Sequence, residues 1–131
     1  MNPPKRRVLC VDDNDDTCFL LQTLLGREGF EVKTADGFGE ALSLAGAEGF
    51  DQFILDGCYP EGAGADLCRK LRQIRPGTPV IFYTGAAYEH DGERGISAGA
   101  DAYVLKPEID GLLAAVRRIL QGHRRAAQDE L

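Results

Sequence analysis

The sequence predicts an α/β fold, one domain on a parallel five-stranded sheet with helices on both faces, and three observations carry that prediction. Short apolar runs alternate with longer stretches of helical period from end to end, which is the rhythm of βα units. Neighbouring parallel strands joined by connections of that length need a right-handed crossover helix, so both faces of the sheet are covered. Four of the five runs also finish on a charged or hydroxyl residue, at the strand ends where open α/β sheets bind their ligands.

The first run, Val8-Leu9-Cys10-Val11, is compact and partly β-branched, and it stops at the acidic cluster Asp12-Asp13-Asn14-Asp15-Asp16. Phe19, Leu20, Leu21, Leu24 and Leu25 then recur at helical spacing, with Asp15 or Asp16 expected to cap the helix start and Gly29 to follow its end. Glu31 to Ala35 reads as a second strand, and Glu40 to Ala45 as a shorter helix ending near Gly46 or Gly49. Phe53-Ile54-Leu55 is continuously apolar, as a strand covered on both faces should be, and it ends on Asp56. Leu67, Leu71 and Ile74 mark a helix that Pro76-Gly77 terminates. Pro79 to Tyr83 gives the fourth strand, ending at Thr84. After a glycine-bounded segment with a short helix, Ala102 to Leu105 gives the fifth, ending at Lys106. Ile109, Leu112, Leu113, Val116, Ile119 and Leu120 form the last amphipathic stripe. The expected organisation is a disordered N-terminal segment over residues 1–6, the domain over 7–121 and a polar C-terminal tail over 122–131.

A chain of 131 residues, 44% of them hydrophobic, buries one real core and has no room for a second folded domain. No apolar run approaches a membrane span, and the opening seven residues lack the apolar stretch of a secretory signal, so the expected location is cytoplasmic. Cys10, Cys18, Cys58 and Cys68 have no Cys-x-x-Cys spacing, which argues against a zinc site or a redox pair. A net charge of −6 speaks against nucleic-acid binding, and Arg117, Arg118, Arg124 and Arg125 suit the end of a helix dipole.

Asp12 and Asp13 follow the first strand, Asp56 the third, Thr84 the fourth and Lys106 the fifth. Converging carboxylates repel unless a hard divalent cation sits among them, and magnesium favours a few carboxylates, retained waters and phosphate oxygens. An aspartate can attack phosphorus to give an acyl phosphate. Phosphoryl transfer then needs charge and positioning, which a metal ion, a lysine and a hydroxyl supply. Each residue alone has a plain structural reading: Asp15 and Asp16 as caps, Lys106-Pro107 as a loop, Tyr103 as strand packing. Their joint occurrence at the ends of successive βα units is the signal.

From Arg7 to Leu120 the sequence resembles the response-regulator receiver family. Val11-Asp12-Asp13-Asn14 is similar to the family's acidic pair, and Phe53-Ile54-Leu55-Asp56 to its phosphoacceptor strand. Tyr83-Thr84-Gly85 matches its hydroxyl position, and Tyr103-Val104-Leu105-Lys106-Pro107 its aromatic and lysine motif. The resemblance implies a flavodoxin-like (βα)5 fold of strand order 2-1-3-4-5 and a cis Lys106-Pro107 bond. It implies that Asp56 is phosphorylated by a histidine kinase or histidine phosphotransfer protein in a Mg2+-dependent reaction. Asp13 and Asp56 would hold the ion directly, Asp12 largely through water, and Cys58 through its backbone carbonyl. Lys106 would pair with the phosphoryl oxygens. Thr84 would swing toward the phosphate and let Tyr103 turn inward, switching the face of the fourth helix, fifth strand and fifth helix toward a downstream protein target. Such a protein catalyses only its own phosphorylation and dephosphorylation and is not otherwise an enzyme; nucleic acid and membrane are not expected partners. With no output domain recognised in the chain, the signal is expected to leave through a partner surface.

Several positions depart from the family pattern. Many members carry Met before Pro after the phosphoacceptor, whereas this chain reads Asp56-Gly57-Cys58-Tyr59-Pro60, which implies a differently shaped loop. Cys58 and Ala86 occupy the positions that tune phosphate lifetime, and their small side chains imply rapid self-dephosphorylation. Glu108 makes the start of the last helix more polar than is common, and Tyr88 and the Ala98-Gly99-Ala100 stretch lie where members often contact partners. A haloacid-dehalogenase-type phosphatase with Asp13-Asn14-Asp15 as its motif is disfavoured by length and leaves Asp56, Thr84 and Lys106 unexplained. A calcium loop starting at Asp12 has Thr17 where Gly and Thr23 where Glu belong. An adaptor that is never phosphorylated would lack a site residue, and none is missing.

Overall fold

The computed structural model describes residues 5–85 and 99–129, and the side chains among them up to Gly122. Its elements are β1 (Arg7–Val11), α1 (Asp15–Arg27), β2 (Glu31–Ala35), α2 (Phe38–Ala47), β3 (Gln52–Leu55), β4 (Cys58–Tyr59), β5 (Gly62–Ala63), α3 (Gly64–Ile74), β6 (Val80–Thr84), β7 (Ala102–Leu105) and α4 (Ile109–Asp129). The main sheet has the order β2-β1-β3-β6-β7, with every neighbouring pair parallel. Counting its strands alone, this is the order 2-1-3-4-5. The extra pair is an antiparallel hairpin of two-residue strands, β4 and β5, which the sequence reading did not anticipate.

Strand side chains alternate between two cores, because successive residues point to opposite faces. Leu9, Val11, Phe53, Leu55, Val80 and Phe82 face α2 and α3, where Ala41, Ala45, Leu67 and Leu71 meet them. Val8, Cys10, Ile54, Ile81 and Tyr83 face α1 and α4, against Leu21, Leu25, Leu112 and Val116. Each fully buried Leu or Ile contributes about 1.5–3 kcal/mol by leaving water, so a one-residue slip of register would forfeit both faces at once. Gln52 is the polar exception on the second face: its Nε2 donates to the Val116 carbonyl at 2.9 Å and ties α4 to the central strand.

Helix α1 is capped by Asn14, not by Asp15 or Asp16. Asn14 has extended backbone, and its side-chain oxygen accepts from Thr17 N at 3.0 Å. Asp15 and Asp16 are already in the first turn, where their charge favours the helix dipole but their side chains cannot serve as the cap. At the other end Gly29 takes φ +94°, the left-handed conformation that ends a helix at low cost. Helix α2 begins at Phe38, earlier than its apolar pattern suggested, because Glu61 accepts from Phe38 N at 2.7 Å and supplies a cap from a distant segment.

Helix α4 continues to Asp129, through most of the segment read as a polar tail over 122–131. Ala, Arg and Gln are strong helix formers. Within the N-terminal segment read as 1–6, Arg6 is anchored: its carbonyl accepts from Glu31 N at 2.8 Å and its guanidinium lies 3.4 Å from Asp51. Residues 1–4 and most of the segment between Thr84 and Ala102 in which a short helix is expected, with Ala86, Tyr88 and Ala98, lie outside the described residues.

Candidate functional site

Parallel strands deliver their C-terminal residues to one edge of the sheet. Val11 pairs with Leu55, and Leu55 with Phe82, so Asp12 and Asp56 emerge side by side with Thr84 on the next strand. Lys106 N donates to the Thr84 carbonyl at 2.8 Å, which brings the lysine to the same edge, and the Lys106-Pro107 bond is cis. The carboxylates of Asp12, Asp13 and Asp56 each place an oxygen within 4.8 Å of the others. Lys106 Nζ stands 2.8 Å from Asp12 Oδ2 and 3.6 Å from Asp56 Oδ2.

Asp12 is only 4% exposed. Burial pushes its carboxyl above the ordinary value, against the opposing hydrogen bonds from Lys106 and the Asn14 N–H. For Lys106, burial works against the charged form, but Asp12 and then Asp56 outweigh it and hold the ammonium above its usual range. Gly57 N donates to Asp56 Oδ1 at 2.7 Å and fixes that oxygen. A Cβ on Gly57 would lie 2.8 Å from Thr84 Oγ1, so the missing side chain is what lets the buried Thr84 hydroxyl approach Asp56's neighbour. Gly64 is tighter: a Cβ there would lie 2.1 Å from the Asp56 carbonyl oxygen.

Tyr103 is half-buried on β7, its ring 6.1 Å from that of Phe82. Cys58 is exposed in β4, opposite Ala63. Sequence reasoning missed Tyr59, whose buried hydroxyl accepts from Asp56 N and donates to the Val11 carbonyl, both at 2.7 Å. Burial raises its phenol well above the ordinary value, so it stays a donor. The departure from Met at this position was visible in the sequence; the destination of the hydroxyl was not.

Three carboxylates meet one ammonium here, which leaves negative charge to be balanced. An open cleft beside the site adds to it, being lined by Asp13, Asp15, Asp36, Glu40 and Glu61. All the donors are hard oxygens, and Asp12, Asp13 and Asp56 fit a small divalent cation such as magnesium.

The fold and site together define a doubly wound α/β domain with an aspartate pocket and a lysine at the carboxyl edge of its sheet. Residues 8–117 match the response regulator receiver domain family, and the chain belongs to that family, which serves two-component signalling. It is 35% identical over 117 residues to the alkaline phosphatase synthesis transcriptional regulatory protein PhoP of Bacillus subtilis, covering 86% of this chain and 49% of that protein. Against the response regulator ArlR of Staphylococcus aureus the identity is 34%, over 88% of this chain and 52% of ArlR. The chain thus spans about half the length of the curated relatives it matches. Among solved structures, a CheY-like receiver domain protein from Methanospirillum hungatei superposes with a TM-score of 0.89 at 31% identity, covering 94% of this chain and 99% of that one. A response regulator from Burkholderia pseudomallei, solved with a phosphorylated aspartic acid, a calcium ion and citrate, gives 0.81 at 29% identity, covering 96% and 75%.

Proposed function

We propose that this receiver accepts a phosphoryl group on Asp56 from a histidine kinase or histidine phosphotransfer protein in the cytoplasm, and that the change of charge switches a protein-binding face. The observation that carries the reading is the packing of Asp12, Asp13 and Asp56 within 4.8 Å, with Lys106 Nζ at 2.8 Å from Asp12 and 3.6 Å from Asp56. Asp56 attacks phosphorus as a carboxylate: an O–P bond forms, the P–N bond to the donor imidazole breaks, and the electron pair leaves on nitrogen. Gly57 N holds one carboxylate oxygen while the other faces Lys106, whose ammonium is placed to pair with the incoming phosphoryl oxygens. Asp13 and Asp56 would hold a magnesium ion, with Asp12 acting largely through water and Cys58 through its carbonyl, and the bound ion would supply positive charge against those oxygens.

Thr84 ends the strand next to Asp56, and Tyr103 lies on the neighbouring edge strand. A Thr84 hydroxyl drawn to the new phosphate and a Tyr103 ring turning inward would carry the signal to the face that includes β7 and α4. The protein acts on no substrate but its own aspartyl phosphate, and its partners are proteins, with neither nucleic acid nor membrane among them. Intact mass after incubation with Mg2+ and acetyl phosphate tests the reading. One phosphoryl adduct is expected on the unmodified chain and none on Asp56→Asn. An adduct of equal extent on both would place the chemistry elsewhere.

A further inference from the structure

We propose that Tyr59 is a positioning residue for the phosphoacceptor, its hydroxyl fixing the separation of Asp56 from the carboxylates that end β1. The inference rests on the function proposed above and concerns the geometry of the same site. In the ladder between β1 and β3, Asp56 N–H is the last rung, and its ladder acceptor, the Val11 carbonyl, stands at 3.2 Å. The Tyr59 hydroxyl lies beside this bond and completes a triangle with it, accepting from Asp56 N at 2.7 Å and donating to that same Val11 carbonyl at 2.7 Å. Only a group that both donates and accepts can close this bridge, and neither Phe nor Met can. Val11 is the residue before Asp12, so the bridge joins the backbone of the proposed phosphoacceptor to the backbone that presents the acidic pair.

The phenol is held in place by its surroundings. Tyr59 is 4% exposed, and its ring packs edge-on against Phe38 with centroids 5.6 Å apart. The β4–β5 hairpin returns the chain beneath the strand end, and Gly64 lets that return pass against the Asp56 carbonyl. Without the hydroxyl, Asp56 N–H and the Val11 carbonyl have only each other, and the strand ends are expected to draw together or splay. Either movement changes how three carboxylates share a cation.

Tyr59→Phe in the full chain tests this. In the metal-free protein, the Asp56 amide resonance in an NMR spectrum is expected to shift upfield as its short hydrogen bond is lost. The Mg2+ dissociation constant from calorimetric titration is expected to rise about three- to tenfold, the scale of one hydrogen bond. Adduct formation from acetyl phosphate at saturating Mg2+ is expected to fall by a similar factor. Tyr59→Met, which also lacks the hydroxyl, should repeat the loss. Leu25→Val loosens the core on the other face of the sheet and leaves Tyr59 untouched, and it should lower the melting temperature while leaving metal affinity and rate unchanged. Wild-type affinity and rate in Tyr59→Phe, or an equal loss in Leu25→Val, would overturn the proposal. If the unmodified chain binds Mg2+ but forms no adduct, the function proposed above fails instead, and the metal affinities alone decide the role of Tyr59.

Discussion

Gly57 and Gly64 flank the hairpin that follows Asp56, and the space each leaves empty is claimed by a different kind of atom. Beside Gly57 it is the side chain of Thr84, its hydroxyl at 2.8 Å and its Cβ at 3.3 Å; beside Gly64 it is the Asp56 carbonyl oxygen, with Phe82 Cε1 behind it at 2.8 Å. Gly64→Ala must therefore move backbone, and a stability loss of about 3 kcal/mol is expected, lowering the melting temperature by about 10 °C. Gly57→Ala should cost less stability than Gly64→Ala, because it displaces a side chain and not backbone, and its larger cost should appear in phosphoryl acceptance. Thermal unfolding and the acetyl phosphate adduct rate, measured on both variants, separate the two; a Gly57→Ala protein as unstable as Gly64→Ala would contradict the contrast. At this scale the sequence was legible for placement wherever a polar residue ends a strand, as for Asp12, Asp13, Asp56, Thr84 and Lys106, which the fold brings to one edge. It was silent on Tyr59 and on both glycines, because a hydroxyl's partner and a missing Cβ acquire meaning only once the path of the loop is fixed.

Elements were legible in proportion to how much of themselves they bury. The central strands β1, β3 and β6 and the apolar stripe of α4 announce themselves because burial demands a pattern. Elements set by distant partners do not. The start of α2 depends on Glu61, and β4 and β5 are too short to carry any period. The α1 cap was misread by one or two residues because several adjacent acidic side chains are equivalent in composition but not in backbone conformation. The edge of the sheet opposite the site is held in a similarly nonlocal way. Arg7 Nη2 reaches Glu48 at 2.6 Å and Lys33 Nζ reaches it at 2.8 Å, joining β1 and β2 to the end of α2. Lys33 and then Arg7 hold the Glu48 carboxyl below its ordinary value of 4.5. A carboxyl depressed in the folded state stabilises the fold above its unfolded value, and that contribution is lost as pH falls through the folded one. Glu48→Gln is thus expected to melt at a lower temperature than the parent at pH 7. The gap should narrow below about pH 4.5 and close at lower pH, and salt should shrink it at neutral pH because the cluster lies at the surface. A gap independent of pH would assign the loss to packing instead.

Across the molecule, the sheet separates two apolar cores, and each of its ends carries charge of a different character. At the Arg7 end opposite charges are paired, and at the carboxyl end three carboxylates share one lysine. The folded chain alone brings these carboxylates together, so a cation bound among them stabilises the native state by mass action. At a hundredfold excess over its dissociation constant, Mg2+ is expected to add about 2.7 kcal/mol. For a chain of this size that raises the melting temperature by about 10 °C, and a chelator should reverse the rise. Asp13→Asn removes one ligand and one like charge, so its metal-free form should melt no lower than the parent while its response to Mg2+ shrinks. Asp56→Asn should behave in the same way. A shift retained in full by both variants would move the cation out of this cluster and toward the neighbouring acidic cleft of Asp15, Asp36, Glu40 and Glu61, where no proposed phosphoacceptor stands.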